Sequence, residues 1–346
     1  MKEGDIKKRI QEHFTDGLVT IVGSGLSVDA GLPGMQELGR FLFEVIPKRC
    51  EGELANQWEP IALKLAEGIT LEEALKDIEI DNPILEQIIN ITAEIMEVRE
   101  REVLRSVYSG ETSLSFGHLL PFLCFNTDRV TVITTNYDRL IEVASEIAGF
   151  GIDTLFPGQY YGEFNPELSR EALWTGKQSK KPKSIKRVFR KHIAVFKPHG
   201  SLDWFSHNGR PVRCTLPIDA PRLMITPGQS KYRMGYEKPF DQHRESANQA
   251  IDKAARFLVI GYGFNDDQLE THLKPELQKG KPCVVLTRHL SDNGMKLLEE
   301  CKSILSITSD DSNGEVASKI ICEGQQIILG GRRIWKLSEF IEEILK

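Results

Sequence analysis

Four short segments of the sequence hold the residues best suited to bind or activate a ligand: residues 23–25, 134–138, 198–201 and 261–266. Each follows a run rich in valine, isoleucine and leucine, which predicts a strand covered on both faces, as in a parallel sheet. Open α/β sheets bind their ligands at the carboxyl ends of such strands. We therefore expect the functional site at that edge of a sheet.

Gly23, Ser24 and Gly25 stand where the first predicted strand meets a helix. Backbone N–H groups and the positive end of a helix dipole attract a phosphate there, and glycine lets the anion come close. The next glycine, Gly31, follows Gly25 by six residues, so the dehydrogenase fingerprint is absent, and no Gly-Lys-Ser/Thr sequence indicates a P-loop. Alternatively, the turn serves only to pack the strand against the helix.

Asn136 and Asp138 follow the second predicted strand. An asparagine amide both donates and accepts hydrogen bonds and a carboxylate accepts them, so the pair suits a ribose hydroxyl, a water or a ligand amide. Both residues are also well placed to cap the helix that follows, and taken alone the pair favours that role.

His199 ends a predicted buried strand and precedes Gly200, which leaves its side chain room to face a cleft. Imidazole titrates near neutrality, as a general base must. After a further strand, Gly261 and Gly263 are placed to frame the ribose and adenine of a nucleotide, with Asp266 or Asp267 accepting from its hydroxyls. An asparagine or aspartate of the same segment could instead cap the next helix.

The composition is that of an ordinary globular protein, with 346 residues, 40% of them hydrophobic, and a net charge of −6 from 50 acidic and 44 basic side chains. This mild acidity argues against a dedicated nucleic-acid coat. None of the six cysteines lies two to four residues from another, so we predict no zinc and no other metal. The sequence contains neither a signal-peptide pattern nor an apolar run of bilayer length, which predicts a cytoplasmic location without membrane contact.

Strand-like runs alternate with helical patterns along the chain, which predicts an α/β fold with a parallel sheet. Residues 36–122 depart from this alternation and are helical in pattern, so we expect a helical insertion or second small domain there. Residues 158–191 have a loop-like pattern. Within them, residues 177–191 hold eight lysines and arginines, from Lys177 to Lys191, which form either a solvated loop or a docking surface for an acidic partner or nucleic acid.

In their order, the four segments resemble the sirtuin-like NAD-binding fold, and most closely the bacterial sirtuin-like NAD hydrolases of antiphage defence systems. The shared pattern is Gly-Ser-Gly-Leu-Ser, Gly-Leu-Pro, Thr-Asn-Tyr-Asp, Pro-His-Gly-Ser and Val-Ile-Gly-Tyr-Gly-Phe, over roughly residues 18–286. The resemblance implies a Rossmann-like NAD-binding domain formed by residues 1–35 and 123–346, with the helical insertion module at residues 36–122.

The resemblance also implies an activity: an NAD+ glycohydrolase that cleaves its substrate NAD+ to nicotinamide and ADP-ribose without a metal. Whether a cyclised product forms stays open. Such an enzyme would be the effector of an antiphage defence system, acting by NAD+ depletion. It would form a homo-oligomer and work with a HerA-type ATPase or another defence-system partner, and nucleic acid would bind only weakly or indirectly, through residues 177–191.

The same resemblance assigns site residues. Asn136 and His199 would be catalytic, Asn136 by holding the nicotinamide ribose or the attacking water, and His199 by acting on that water or on a ribose hydroxyl. Asp138 would hold the carboxamide. The remaining ligand-binding residues would be Gly23, Ser24 and Gly25 at the diphosphate and ribose, Leu32 and Pro33 near the nicotinamide, Gly200 and Ser201 after the histidine, and Gly261, Gly263 and Asp266 at the adenosine end.

The sequence departs from that of the deacetylating sirtuins. Two cysteine pairs for zinc are absent, Pro33 is not followed by Asp-Phe-Arg, and the stretch between Asn136 and His199 is long and rich in lysine. A protein deacetylase is therefore disfavoured. A non-catalytic sensor of NAD or ADP-ribose that regulates a partner is the alternative function.

Overall fold

The computed structural model describes residues 2–79, 82–124, 127–178, 185–226, 238–312 and 314–346. Its helices are α1 (Glu3–His13), α2 (Ser24–Asp29), α3 (Met35–Arg49), α4 (Glu53–Ala66), α5 (Leu71–Ala74), α6 (Ile84–Tyr108), α7 (Ser115–Leu123), α8 (Leu140–Ile147), α9 (Pro166–Glu171), α10 (Phe240–Lys253), α11 (Asp267–Gln278), α12 (Asp292–Glu300) and α13 (Leu337–Phe340), which is followed by a π-helical turn (Ile341–Leu345). Its strands are β1 (Leu18–Val22), β2 (Arg129–Thr134), β3 (Gly151–Asp153), β4 (Tyr161–Glu163), β5 (Trp174–Gln178), β6 (Ile185–Phe189), β7 (His192–Phe196), β8 (Gly200–His207), β9 (Arg210–Cys214), β10 (Arg222–Met224), β11 (Arg256–Ile260), β12 (Cys283–Leu286), β13 (Ile304–Ser309), β14 (Ala317–Cys322) and β15 (Gln325–Gly330).

Within the described part of the chain, nine strands form the main sheet, in the order β3-β7-β2-β1-β11-β12-β13-β14-β15. The first seven strands in this order, β3 through β13, pair with their neighbours in parallel. Strand β14 pairs antiparallel with both β13 and β15. From β1 the chain continues to β2 and β7 on one side, whereas from β11 it continues to β12 and β13 on the other. This reversal creates a crevice at the carboxyl edge, where open α/β sheets bind ligands. The predicted α/β class with a Rossmann-like parallel sheet is confirmed.

The central strands are covered on both faces, as their unbroken aliphatic runs predict. Ile21 and Val22 are neighbours in β1, both are fully buried, and they belong to two different cores. Because successive side chains of a strand point to opposite faces, each strand contributes to both cores. The sheet is therefore the rigid layer that holds the residues following each strand.

Helices α3 to α7 follow β1 and precede β2, within the stretch where the sequence predicts a helical insertion. Their buried side chains, among them Leu42, Ile46 and Ile88, belong to the same core as Val22 and Val132 of the sheet. The insertion thus packs directly on one face of the sheet. Its treatment as a separate module, with the boundaries given above, stays a prediction.

Helix α6 is also tied to the residues that follow the strands. The Glu100 carboxylate, only 1% exposed, accepts hydrogen bonds from the backbone N–H of Arg139 at 2.5 Å and from its Nε at 2.9 Å. Burial raises the pKa of Glu100, and Arg139 opposes that rise. One turn earlier on α6, Glu97 accepts from Arg222 of β10 at 2.7 Å. Removing one partner of such a buried pair is strongly destabilising, so these contacts fix α6 over the sheet.

The described residues of this stretch, 158–178 and 185–191, are not the loop that the sequence predicts. They contain β4, α9 and the hairpin of β5 and β6, and β4 joins β10, β8 and β9 in a small antiparallel sheet. The rings of Trp174 and Phe189 lie opposite each other across the hairpin, 4.0 Å apart, and aromatic pairs of this kind stabilise paired strands. Lys180, Lys181 and Lys183, at the centre of the predicted basic surface, lie outside the described residues.

Among the residues described, no helix has both the length and the apolar character needed to cross a bilayer.

Candidate active site

The carboxyl ends of four neighbouring strands, β7, β2, β1 and β11, open into a cavity of about 230 Å³, which we call the reaction cavity. A larger groove, of about 840 Å³, has the first residues of β1 and β2 in its lining and contains none of the predicted site residues. The predicted residues that line the reaction cavity are Gly23, Ser24, Pro33, Asn136, Asp138, His199, Gly261, Gly263 and Asp266.

Asn136 is held rigidly by two donated hydrogen bonds. Its Nδ2 donates to the carbonyl of Gly23 at 2.9 Å and to Oγ of Ser27 at 2.8 Å. Ser27 in turn donates to Oδ2 of Asp138 at 2.6 Å, and Oδ1 of Asp138 accepts from the backbone N–H of Leu140 at 3.1 Å. With both amide hydrogens of Asn136 in use, its Oδ1 is the group left to accept a hydrogen bond from a ligand or water.

Asp138 lies just before α8, whose N-cap residue is Arg139, and its bond satisfies the first N–H group of that helix, at Leu140. The carboxylate has two oxygens with several acceptor positions, so this bond does not exclude ligand binding. Asp138 therefore remains a candidate for binding a ligand amide.

His199 and Asp266 form a buried pair beside Asn136. Nε2 of the imidazole lies 2.8 Å from Oδ2 of the carboxylate, and both side chains are 7% exposed. Nε2 thus faces the carboxylate, whose charge lies directly beside the ring. Nδ1 is then the ring nitrogen left to meet a ligand.

Asp266 lines the reaction cavity next to His199, and its place at the adenosine end stays a prediction. Phe264 has a φ of 55°, which turns the chain sharply after β11, and Asp266 then caps α11 by accepting from the backbone N–H of Leu269 at 3.0 Å. The second carboxylate oxygen is thereby directed to His199. The cap alternative was correct, and the contact with the histidine could not be read from the local sequence.

The reaction cavity is acidic. Its described lining includes three carboxylates and one histidine, and it includes neither lysine nor arginine. The carboxylates are Glu72, Asp138 and Asp266. Burial, with added effects of the charges of Glu72 and Asp266, raises the pKa of the Tyr137 and Tyr262 hydroxyls that share this lining, so both stay neutral.

Behind the cavity wall, a buried lysine connects the strand ends. Nζ of Lys197, 1% exposed, lies 3.0 Å from Oε1 of Glu142 and also donates to the carbonyl of Asp138 and to Oγ of Ser201. This network positions the backbone on either side of Asp138 and His199. It also explains why Ser201 faces away from the cavity.

Four residues predicted to bind the ligand do not line the reaction cavity: Gly25, Leu32, Gly200 and Ser201. Leu32 is buried in the core beneath α2, so only its neighbour Pro33 reaches the cavity. Gly200 and Ser201 begin β8, which runs into the small sheet, and their backbone is buried there.

The glycines after β1 and β11 bring two backbones into contact. A Cβ on Gly23 would lie 2.5 Å from the carbonyl oxygen of Gly261, and a Cβ on Gly25 would lie 2.7 Å from the Cα of Gly261. The N–H groups of Gly23 and Gly25 donate to the carbonyls of Ile260 and Gly261, both at 2.9 Å. They are therefore not the bare phosphate donors that the sequence predicts. We call this contact of Gly23, Gly25 and Gly261 the glycine ridge.

A second cavity, of about 620 Å³, lies beside the glycine ridge at the carboxyl ends of β11, β12 and β13, and Gly261 lines both cavities. Unlike the reaction cavity, it has cationic residues in its lining: Arg288, Arg333 and Lys336, the last 2.6 Å from Asp29. Sequence analysis missed Arg288, although it follows β12 just as the predicted residues follow the other strands. Acidic residues also line this cavity, namely Asp29, Asp311 and Glu315.

The described residues contain no group of three or more histidine, cysteine or acidic side chains arranged to hold a metal ion. All six cysteines are free, and five are buried. Burial raises the pKa of the Cys124 thiol to about 11, so this thiol stays protonated. That the protein uses no metal stays a prediction.

Residues 130–300 match the family model described as "SIR2-like domain". This range runs from β2 through α12 and contains Asn136, His199 and Asp266. No match to a curated protein was found. A solved structure described as "The Structural basis of Sirtuin Substrate Affinity" is similar over 87% of this chain and 99% of that chain, with 13% sequence identity and a TM-score of 0.40. The family match supports the predicted sirtuin-like fold.

Proposed function

We propose that this protein is an NAD+ glycohydrolase, which cleaves NAD+ to nicotinamide and ADP-ribose. SIR2-like domains use NAD+, and residues 130–300 match that family. The observation that carries the proposal is the placement of Asn136 and the His199–Asp266 pair in an acidic cavity beside a second cavity that holds arginines. A dinucleotide with a cationic ring at one end and phosphates in the middle fits across the glycine ridge, with its diphosphate near the arginines.

The reaction breaks the bond between the ribose C1′ and the pyridinium nitrogen. The bonding electron pair goes to the nitrogen, so nicotinamide leaves neutral and a ribosyl cation develops at C1′. The carboxylates that line the reaction cavity stabilise this positive charge through fixed electrostatics, which is often the largest contribution to catalysis. Water adds to C1′ and completes ADP-ribose.

The chain provides groups to guide that water. Oδ1 of Asn136 accepts a hydrogen bond from the water or from a ribose hydroxyl, because both amide hydrogens are already used. Nδ1 of His199 takes the proton that the water loses, and the charge of Asp266 stabilises the resulting imidazolium. Positioning of this kind replaces a bimolecular encounter by a preorganised one.

We further infer a biological role from the resemblance in the sequence. An enzyme that destroys NAD+ harms its own cell unless it is restrained, which suits an effector of antiphage defence that acts on infection. Assembly into a homo-oligomer, or contact with a HerA-type ATPase, would provide the restraint. Native mass measurement of the protein, alone and with such an ATPase, tests this part of the proposal.

The test of the activity is release of nicotinamide from NAD+ by the full chain, followed by chromatography. We expect His199→Ala to lower the rate by about 10²–10⁴-fold, the usual contribution of a positioned general base. The matched control is His272→Ala, because His272 also contacts an aspartate, Asp252 at 2.9 Å, but on an exposed surface. His272→Ala should retain the full rate.

Two outcomes would contradict the proposal. NAD+ that binds but is never cleaved would favour the sensor, and absence of NAD+ binding would exclude both functions. Asn136→Ala removes the donor that Asn136 provides to the Gly23 carbonyl and to Ser27, so it should also lower stability by about 1–3 kcal/mol.

A further inference from the structure

Strand β15 is the outermost strand of the main sheet, and within the described part of the chain no further strand pairs with its free side. It pairs with β14 over all its residues, from Gln325 to Gly330, without a shift in register. The opposite edge of the sheet, β3, is only three residues long. Very short edge strands and bulges are among the devices that prevent sheets from joining edge to edge. Strand β15 has neither device.

The backbone of β15 presents hydrogen-bonding groups on its free side. The N–H group of Gly331, just after the strand, donates toward β14, to the carbonyl of Val316 at 2.6 Å. Because the backbone direction alternates along an antiparallel pair, Gln326, Ile328 and Gly330 direct their N–H and C=O groups away from β14. These three residues form a regular row of donors and acceptors along the edge.

The side chains of β15 do not block this row. The strand contains no charged residue and no proline, which are the other common protections of an exposed edge. Ile327 and Leu329 pack against the core that contains Val22, whereas Ile328 points to the other face and is 49% exposed. Among the described residues, the core on that face includes Ile304 of β13 and no residue of β14 or β15. An aliphatic side chain is therefore exposed at the middle of an unprotected edge.

The free edge is complementary to itself. In an antiparallel pair of two β15 strands with Ile328 opposite its own counterpart, Gln326 lies opposite Gly330, and Ile327 lies opposite Leu329. The three pairs formed by the outward-facing residues are then all of the kind that exchanges two backbone hydrogen bonds. A register shifted by one residue would place side chains of opposite faces against each other, so this register is favoured.

No like charges are brought together by this pairing. Lys319 of β14 lies opposite the middle residue of β15, so the two copies of Lys319 would be separated by three strand spacings, about 14 Å. That distance exceeds the Debye length of about 8 Å in physiological salt. At the two ends of β15, Glu323 and Arg332 are already paired within the chain, with Arg9 and Glu3, each at 2.7 Å.

We propose that β15 pairs antiparallel with β15 of a second copy of the chain, so that two main sheets join into one about a two-fold axis. Such an interface is closed, because both copies use the same surface, and it leaves only the short β3 edges free. The inference rests on the proposed function in that it supplies the surface of the homo-oligomer named there. It does not depend on cleavage of NAD+.

The test is the mass of the full chain in solution, measured by sedimentation equilibrium at micromolar concentrations. We expect the unaltered protein to approach twice the 39.1 kDa of one chain as its concentration rises. Ile328→Lys should weaken the dimer by about tenfold or more, because two like charges then lie directly opposite each other. Leu63→Lys is the matched control, since Leu63 is an exposed aliphatic residue of α4, 61% exposed, and it should leave the dimer unchanged.

A charge exchange tests the register. Ile328→Glu alone should weaken the dimer as Ile328→Lys does, for the same reason. An equimolar mixture of the two variants should restore a dimer of mixed composition, because opposite charges then face each other across the two-fold axis. Misfolding of either variant could not produce this recovery.

A second pair of variants tests the backbone hydrogen bonds. Gly330→Pro removes an outward N–H group from each copy and should weaken the dimer. Gly330→Ala keeps that group and should retain the dimer, because a Cβ at this position would have no neighbour within 4 Å among the described residues of the chain. Equal urea midpoints for the two variants would show that both are folded.

A dimer that persists unchanged in Ile328→Lys, or one that the mixture of Ile328→Lys and Ile328→Glu does not restore, would overturn the inference and leave the proposed homo-oligomer to another surface. An unaltered protein that stays monomeric at every concentration would overturn both this surface and the homo-oligomer. Neither result would bear on the proposed NAD+ cleavage, which is measured separately by release of nicotinamide.

Discussion

At the scale of single residues, the role proposed for His199 depends on the charge of Asp266, which lies beside it. Asp266→Asn should lower kcat by about 10- to 100-fold, because the imidazolium formed by His199 loses its counter-charge. Stability should change little, since an asparagine can still cap α11 by accepting from Leu269. The rate of nicotinamide release and the urea midpoint are the two measurements.

Asp267→Asn is the control for this prediction, because Asp267 is exposed and does not line the reaction cavity. Equal rates for the two variants would show that the carboxylate next to His199 has no part in the reaction.

At the scale of elements, the contact between the turns after β1 and β11 requires glycine at position 261. Gly261 has a φ of 60°, and a Cβ there would lie 2.6 Å from the backbone nitrogen of Leu26. Gly261→Ala should therefore cost about 2 kcal/mol or more in the free energy of unfolding and weaken NAD+ binding, since the two turns separate. A Cβ on Gly263 would find its nearest neighbour at 3.4 Å, so Gly263→Ala should change stability by no more than about 0.5 kcal/mol.

Urea denaturation of both variants tests this prediction. If Gly261→Ala were as stable as Gly263→Ala, the glycine ridge would not be the tight contact described above.

At the scale of the whole molecule, two buried histidines make folding sensitive to acid. Burial lowers the pKa of His13 to about 4 and, together with the charge of Lys197, that of His243 to about 3. In the unfolded chain both histidines have a pKa of about 6.5. Below this pH the unfolded state therefore binds protons that the folded state does not bind. Stability should therefore fall as the pH drops from about 6.5 toward 4, by about 1.4 kcal/mol per pH unit for each histidine, and these groups should have no effect above pH 7.

Urea unfolding at pH 7, 6 and 5 measures this slope. His243→Asn keeps an acceptor for the backbone N–H of Lys197, which His243 now binds at 3.1 Å, and should show a shallower slope than the unaltered protein. Equal slopes for the variant and the unaltered protein would show that His243 is not held neutral by the fold.

The position of the site could be predicted from the sequence because it depends on a local pattern. Unbroken aliphatic runs followed by polar or glycine residues mark the carboxyl ends of parallel strands, and in a parallel sheet all those ends lie at one edge. Gly23, Asn136, His199 and Gly261 therefore had to share that edge, whatever the order of the strands. The helical character of residues 36–122 was likewise evident from the spacing of the isoleucines.

The tertiary structure alone decided which groups meet within that edge. Neither the pairing of Asp266 with His199 nor the loss of the Gly23 and Gly25 N–H groups to β11 follows from local spacing, because both depend on β11 lying next to β1. Glu72 enters the cavity only because α5 packs against the sheet-bound helices of the insertion. Strand order and helix docking depend on the burial of apolar surface between segments that are far apart in the sequence. Because the hydrophobic effect is not directional, the spacing of apolar residues within one segment does not indicate which other segment it will pack against.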